Sequence, residues 1–148
     1  MELPSRNELA PSSAINPLDS PPARVSKTQD NTTAAVFEIN SAGVFSIAYD
    51  GSYVSQIGFI VMGTNGNLYA SSSGGAYSSC GSNGCGQILE LTPTGGGKGT
   101  VTVLHQFDYT DGSLLNPFQD LVLHGGVLYG TTNYGGSSKD GVIYKLKP

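Results

Sequence analysis

Ile88-Leu89-Glu90-Leu91 is a phrase that the chain carries three times, with Val36-Phe37-Glu38-Ile39 before it and Ile143-Tyr144-Lys145-Leu146 after it. Each copy is a short apolar run with a charge in third place, and the copies begin 52 and 55 residues apart. A period of that length belongs to architectures in which one supersecondary unit recurs. The chain therefore reads as a piece of an array.

A second phrase keeps the same order. Asn65-Gly66-Asn67-Leu68-Tyr69-Ala70-Ser71-Ser72 returns as Gly125-Gly126-Val127-Leu128-Tyr129-Gly130-Thr131-Thr132, and the pairs Gly74-Gly75 and Gly135-Gly136 follow the two copies. In both the sequence runs aliphatic strand, turn, Leu-Tyr, small hydroxyl residues, double glycine and then the aliphatic phrase.

The strands between these marks can be counted. Ile57 to Met62 is a continuous apolar run with one glycine, the pattern of a strand covered on both faces. Asn65-Gly66 behind it is a hairpin signal, because both residues tolerate positive φ. Asn67 to Ser73 and Gly86 to Leu91 supply a second and a third strand, and Pro93 to Gly99 is a turn. Thr100 to Phe107 is a fourth, with Val101, Val103, His105 and Phe107 on one side of a strict alternation. Gln119 to Leu123, Val127 to Asn133 and Gly141 to Leu146 begin the unit again, while Ala35 to Ile39 and Val44 to Tyr49 are the last two strands of an earlier one. Four antiparallel strands per period of about 50 residues is the mark of a β-propeller blade. The expected fold is all-β, with β-propeller-like four-stranded antiparallel blades, about two of them, and incomplete ends.

Residues 1–33 are rich in Pro, Ser, Asn and Asp without hydrophobic periodicity, and read as a disordered leader or linker. Residues 34–148 form the repeat segment: 34–56 a partial repeat, 57–107 a full one and 108–148 a second partial one.

Composition excludes several classes. A formal net charge of -4, with seven Lys and Arg scattered singly, offers no footprint for nucleic acid. No apolar stretch is long enough to span a bilayer as a helix. The N-terminus lacks the basic start and apolar block of a secretory signal.

On these residues the chain resembles the Gloeo/Verruco (GloVer) tandem repeats of choice-of-anchor bacterial extracellular proteins. The likeness is carried by Asn65 to Ser72, Leu128-Tyr129-Gly130-Thr131-Thr132, Gly135-Gly136 and Gly141-Val142-Ile143-Tyr144-Lys145-Leu146, and spans roughly residues 35 to 148. It implies a propeller-like protein, secreted or at the cell surface, with no assigned chemistry. Ala70, where the pattern has glycine, and the degenerate first copy are the departures.

Candidate sites follow from residue types. Tyr69 and Tyr129 fall on the strand face opposite Leu68 and Leu128; they suit packing on a neighbouring sheet with a bonded hydroxyl, and alternatively stacking on a sugar. Cys80 and Cys85 close a short glycine-rich loop that the second copy lacks. A disulfide in an oxidising compartment explains them best; zinc, with His105 and His124, or free thiols are the alternatives. The excursion around them offers Tyr77 and Asn83, with Tyr134, as ligand-contact residues. Asp50, Asp108, Asp111, Asp120 and Asp140 lie near strand ends, with Asp50 the counterpart of Asp108. Asp-Gly at 50–51 and 111–112 is turn chemistry, although paired carboxylates also serve glycoside cleavage. No Gly-x-Ser-x-Gly elbow marks a serine nucleophile. Asn31-Thr32-Thr33 has the form of a glycosylation acceptor.

The expected function is a noncatalytic extracellular structural or adhesive module whose loops contact a protein or glycan, without cofactor, metal or catalytic residues. The alternative is a glycan hydrolase or lyase with acids from several blades at a central channel. The ragged ends suggest either further blades of a longer chain or a homotrimer, in which Val44 to Tyr49 of one chain completes the blade begun at Gln119 of another.

Overall fold

Short apolar runs cut by glycine turns give an all-β chain of antiparallel sheets in the computed structural model, which describes residues 24–27, 34–51, 56–75, 80–81, 84–94, 99–113 and 120–148. Among these residues the strands are β1 (Arg24–Lys27), β2 (Ala34–Ile39), β3 (Phe45–Gly51), β4 (Ile57–Met62), β5 (Leu68–Ser72), β6 (Gln87–Thr92), β7 (Thr100–Gln106), β8 (Leu121–His124), β9 (Val127–Thr131) and β10 (Ile143–Leu146). They form three meanders, β1-β2-β3, β4-β5-β6-β7 and β8-β9-β10. β1 lies inside the stretch that the sequence assigns to a leader, and pairs with β2 from Arg24↔Phe37 to Lys27↔Ala34.

The repeat survives at the level of register. Leu68↔Leu91, Tyr69↔Glu90 and Ala70↔Leu89 in the second sheet recur as Leu128↔Leu146, Tyr129↔Lys145 and Gly130↔Tyr144 in the third. On the other side, Val36↔Tyr49 and Phe37↔Ile47 match Ile88↔His105 and Leu89↔Val103, each with one extra residue between the pairs, Ala48 or Leu104. This bulge corrects the strict alternation expected for Thr100 to Phe107. An inserted residue reverses the side on which later side chains emerge, so His105 and Phe107 leave the face that Val101 occupies. It also corrects the pairing of acids: Tyr49 corresponds to His105, so Asp50 corresponds to Gln106 and not to Asp108.

The turns carry their own chemistry. Gly125 and Gly126 both have positive φ and close the two-residue hairpin between β8 and β9, the backbone that a primed turn requires. The Asn65-Gly66 hairpin differs from expectation. Five residues separate the pair Met62↔Leu68, only Gly66 has positive φ, and Asn65 instead uses its Oδ1 to accept the N–H of Asn67 at 3.1 Å.

Strand alternation then divides the apolar residues between two cores. Leu68, Ala70, Leu89 and Leu91 face the first sheet and meet Val36, Ala48 and Tyr49. Tyr69, Ile88 and Phe107 face the third sheet and meet Leu121 and Leu128, with Tyr144 and Leu146 packed against them. The central strands β5 and β6 are thus covered on both faces; β4, expected from its apolar run to be covered likewise, is an edge strand with Phe59 and Met62 exposed. Burying the core residues supplies about 25 cal/mol per Å² of apolar surface.

β3 is hydrogen-bonded to β2 from Ala34↔Gly51 to Ile39↔Phe45. As the last strand of its sheet, β3 has no strand on its other side among the described residues.

Candidate functional site

The meeting of the second and third sheets leaves a cleft of about 200 Å³, lined by Ile88, His105, Phe107, Asp111, Tyr144, Lys145 and Leu146. Its floor is aromatic. The rings of His105 and Phe107 meet edge to face at 4.7 Å, and those of Phe107 and Tyr144 at 5.3 Å. Burial away from water pushes the Tyr144 phenol up to about 12, so this hydroxyl keeps its proton at neutral pH. One wall is polar, with His105 Nε2 2.7 Å from Asp111 Oδ2. Both side chains are partly exposed, and an exposed pair of this kind is worth about 0–1 kcal/mol.

The turn behind β7 explains the acids. Asp108 Oδ1 accepts from the Thr110 hydroxyl at 2.6 Å, the Thr110 N–H at 2.9 Å and the Asp111 N–H at 3.3 Å. Asp111 Oδ1 in turn accepts the Asp108 N–H at 3.1 Å. The Thr110 hydroxyl, helped by these backbone donors, holds the Asp108 carboxyl below the usual carboxylate range. A general acid needs the opposite shift, toward the operating pH. The geometry makes Asp108 and Asp111 turn-formers, with Asp111 also anchoring His105.

This turn is clamped to the loop after β9. Tyr109, at positive φ, accepts the Gly136 N–H through its carbonyl at 3.1 Å, and Ser113 bridges Tyr134. Gly135 fits because a Cβ there would overlap the Tyr109 carbonyl and the Gly112 backbone. The repeated double glycine is thus a place of close backbone approach in this copy. No phosphate-cradling role is needed to account for it.

The other residues singled out in the sequence fall apart from the cleft or from one another. Cys80 and Cys85 form a disulfide. The bond staples more than an exposed excursion, because Cys85 is fully buried in the second core and Cys80 packs against it. With both sulfurs bonded to each other, the zinc set imagined with His105 and His124 has no thiolate, and no group of three or more His, Cys, Asp or Glu able to hold a metal occurs among the described residues. Tyr69 is buried, its hydroxyl donating to Glu90 Oε1 at 3.3 Å. Tyr129, at the same repeat position, is exposed. Tyr134 is exposed too, with its carbonyl accepting the Thr132 hydroxyl at 3.0 Å. Tyr77 and Asn83 lie outside the described residues.

The cleft was not legible beforehand because its residues come from three separate stretches. The signal that could have found it is the unlike company of His105 and Phe107 after Leu104, where the bulge changes face. No helix among the described residues is long and apolar enough to cross a membrane. Compared with protein-family models, curated proteins and solved structures, the chain matches none.

Proposed function

We propose that the chain is a β-propeller-like segment of an extracellular protein, with a noncatalytic structural or adhesive role, similar in its repeats to the Gloeo/Verruco family. One observation carries this reading. At a single repeat position Ile88 is 0% exposed where a further sheet follows, whereas Ile143 is 86% exposed where none does among the described residues. Tyr69 and Tyr129 behave in the same way, at 5% and 41%. On the opposite side of the stack, Ile39 and Phe45 are exposed, whereas at the equivalent places Leu91 is buried and Val101 packs partly buried against the first core. Faces of this kind suit units that stack in series, as blades do.

The disulfide supports an oxidising compartment. The involvement of Asp108 and Asp111 in their own turn speaks for structure over hydrolysis. The clamped loop bearing Tyr134 is the surface offered for contact with a protein or glycan.

A panel of polysaccharides incubated with the full chain tests the reading, with Asp108→Asn, Asp111→Asn and Tyr134→Ala alongside. The reading expects no turnover by any of the four proteins. It also expects saturable binding of a panel member or partner that Tyr134→Ala weakens. Turnover by the parent chain that Asp108→Asn or Asp111→Asn abolishes would replace it with the glycan-active enzyme.

A further inference from the structure

The Cys80–Cys85 bond joins two sulfurs in unlike surroundings. Cys85 is 0% exposed and belongs to the second core with Ile88, Phe107 and Leu128. Cys80 packs against that core but stays partly exposed, and Gly81 after it is exposed with open space around it.

The backbone holds Cys85 in this inward position from both sides. Before it, Gly84 is buried so closely on Gly75 that a Cβ would overlap the Gly75 carbonyl, and its N–H donates to the Gly81 carbonyl at 3.2 Å. After it, the Gly86 carbonyl accepts the Phe107 N–H at 3.0 Å, and Gln87 is paired with Ser72 on one side and Gln106 on the other. Turning Cys85 outward would break the start of β6. Cys80 carries no such restraint from a sheet, since it lies outside the strands.

A thiolate attacks a disulfide sulfur from the side opposite the sulfur that leaves, so access decides which of the two is taken. At Cys85 that approach runs through the second core. At Cys80 solvent reaches the residue.

We propose that Cys80 is a modification site for low-molecular-weight thiols, the sulfur at which the disulfide is opened and capped, with Cys85 always the sulfur that leaves and returns. The incoming thiol ionises and its sulfur bonds to Cys80 Sγ. The bond to Cys85 breaks with its electron pair on Cys85 Sγ, and the proton given up by the thiol ends there. An unpaired charge among Ile88, Phe107 and Leu128 is costly, so Cys85 is held as the neutral thiol. One thiol is consumed and one is formed, without net oxidation. In the reverse step Cys85 attacks Cys80 Sγ, expels the small thiol and restores the bond. The fold thereby gives the disulfide a fixed polarity, a property that its six-residue loop does not have when unfolded.

The probe is reduced glutathione, added at neutral pH to the full, oxidised chain. The exchange is quenched with acid, free thiols are blocked with N-ethylmaleimide in denaturant, and fragmentation mass spectrometry locates both labels. Glutathione on Cys80 with maleimide on Cys85 should exceed the reverse arrangement at least about tenfold in the folded chain. In urea sufficient to unfold the chain, where both sulfurs meet solvent, the two arrangements should agree within about threefold. Three results would overturn the site: no adduct on a chain that stays folded, equal or reversed labelling of the folded chain, or the same preference in urea. The last would place the preference in the local sequence and not in the fold.

Discussion

Tyr144 lies across Gly130 in their cross-strand pair, so close that a methyl group on residue 130 would overlap its phenol. The same pair in the second sheet is Leu89 with Ala70, and there a methyl group fits. The small residue after Leu-Tyr is therefore chosen by its partner on the next strand: glycine under an aromatic ring, alanine under a leucine. Gly130→Ala should destabilise the chain by about 1–3 kcal/mol, the cost of overpacking. Ala70→Gly deletes a buried methyl group as well as adding backbone freedom, and should cost about 1–2 kcal/mol. Urea unfolding reads both variants, and no loss of stability in Gly130→Ala would remove the explanation.

Two isoleucines at one repeat position should behave differently. Ile88→Ala empties a place in the second core and should cost about 2–5 kcal/mol. Ile143→Ala changes an exposed side chain and should stay within about 0.5 kcal/mol. Chemical unfolding at low protein concentration reads both. A large loss at Ile143 would mean that its face is already covered in the isolated chain.

The disulfide should matter beyond its short loop. Closing six residues removes unfolded-state entropy worth about 2 kcal/mol. Because Cys85 belongs to the second core, breaking the bond also disturbs packing around Ile88 and Phe107. Unfolding with and without reductant should differ by at least about 2 kcal/mol. A loss well below that would make the pair a surface ornament.

Alkaline pH should loosen the cleft. The Tyr144 phenol ionises at about 12 in the folded chain against about 10 when unfolded. The folded state thus holds the proton more tightly, and stability that is whole below pH 10 falls as pH rises toward 12. Relative to Tyr144→Phe, the parent chain should lose stability across that window while the two keep a constant difference below it. A parallel course throughout would show that Tyr144 is not shielded from water.

The repeat was the legible part of this fold because it is written in local patterns. Glycine turns, Leu-Tyr, and a charged third residue in an apolar run mark strands whose register then repeats residue for residue. What the sequence hid depends on a single inserted residue. Leu104 turns His105 and Phe107 toward the third sheet, and no periodicity count announces a bulge. The pairing of His105 with Asp111 follows from that turn of face, so the cleft stayed hidden along with it. The acids misled for a related reason: Asp108 and Asp111 look alike as free carboxylates until the backbone donors of their own turn are placed beside them. The disulfide was readable as a bond but not as core, because nothing in its spacing says that Cys85 points inward.

Methyl–methyl contacts in solution, from nuclear Overhauser effects on the full chain, test the central claim most directly. Stacked sheets with alternating faces require Ile88 to contact Leu121 and Leu128, and Leu89 to contact Val36, with no contact between Leu89 and Leu128. That division of neighbours along a single strand is the expected result. Contacts of Ile88 and Leu89 with one common set of residues would contradict it, and the repeat would then be a pattern of sequence without a stack of sheets behind it.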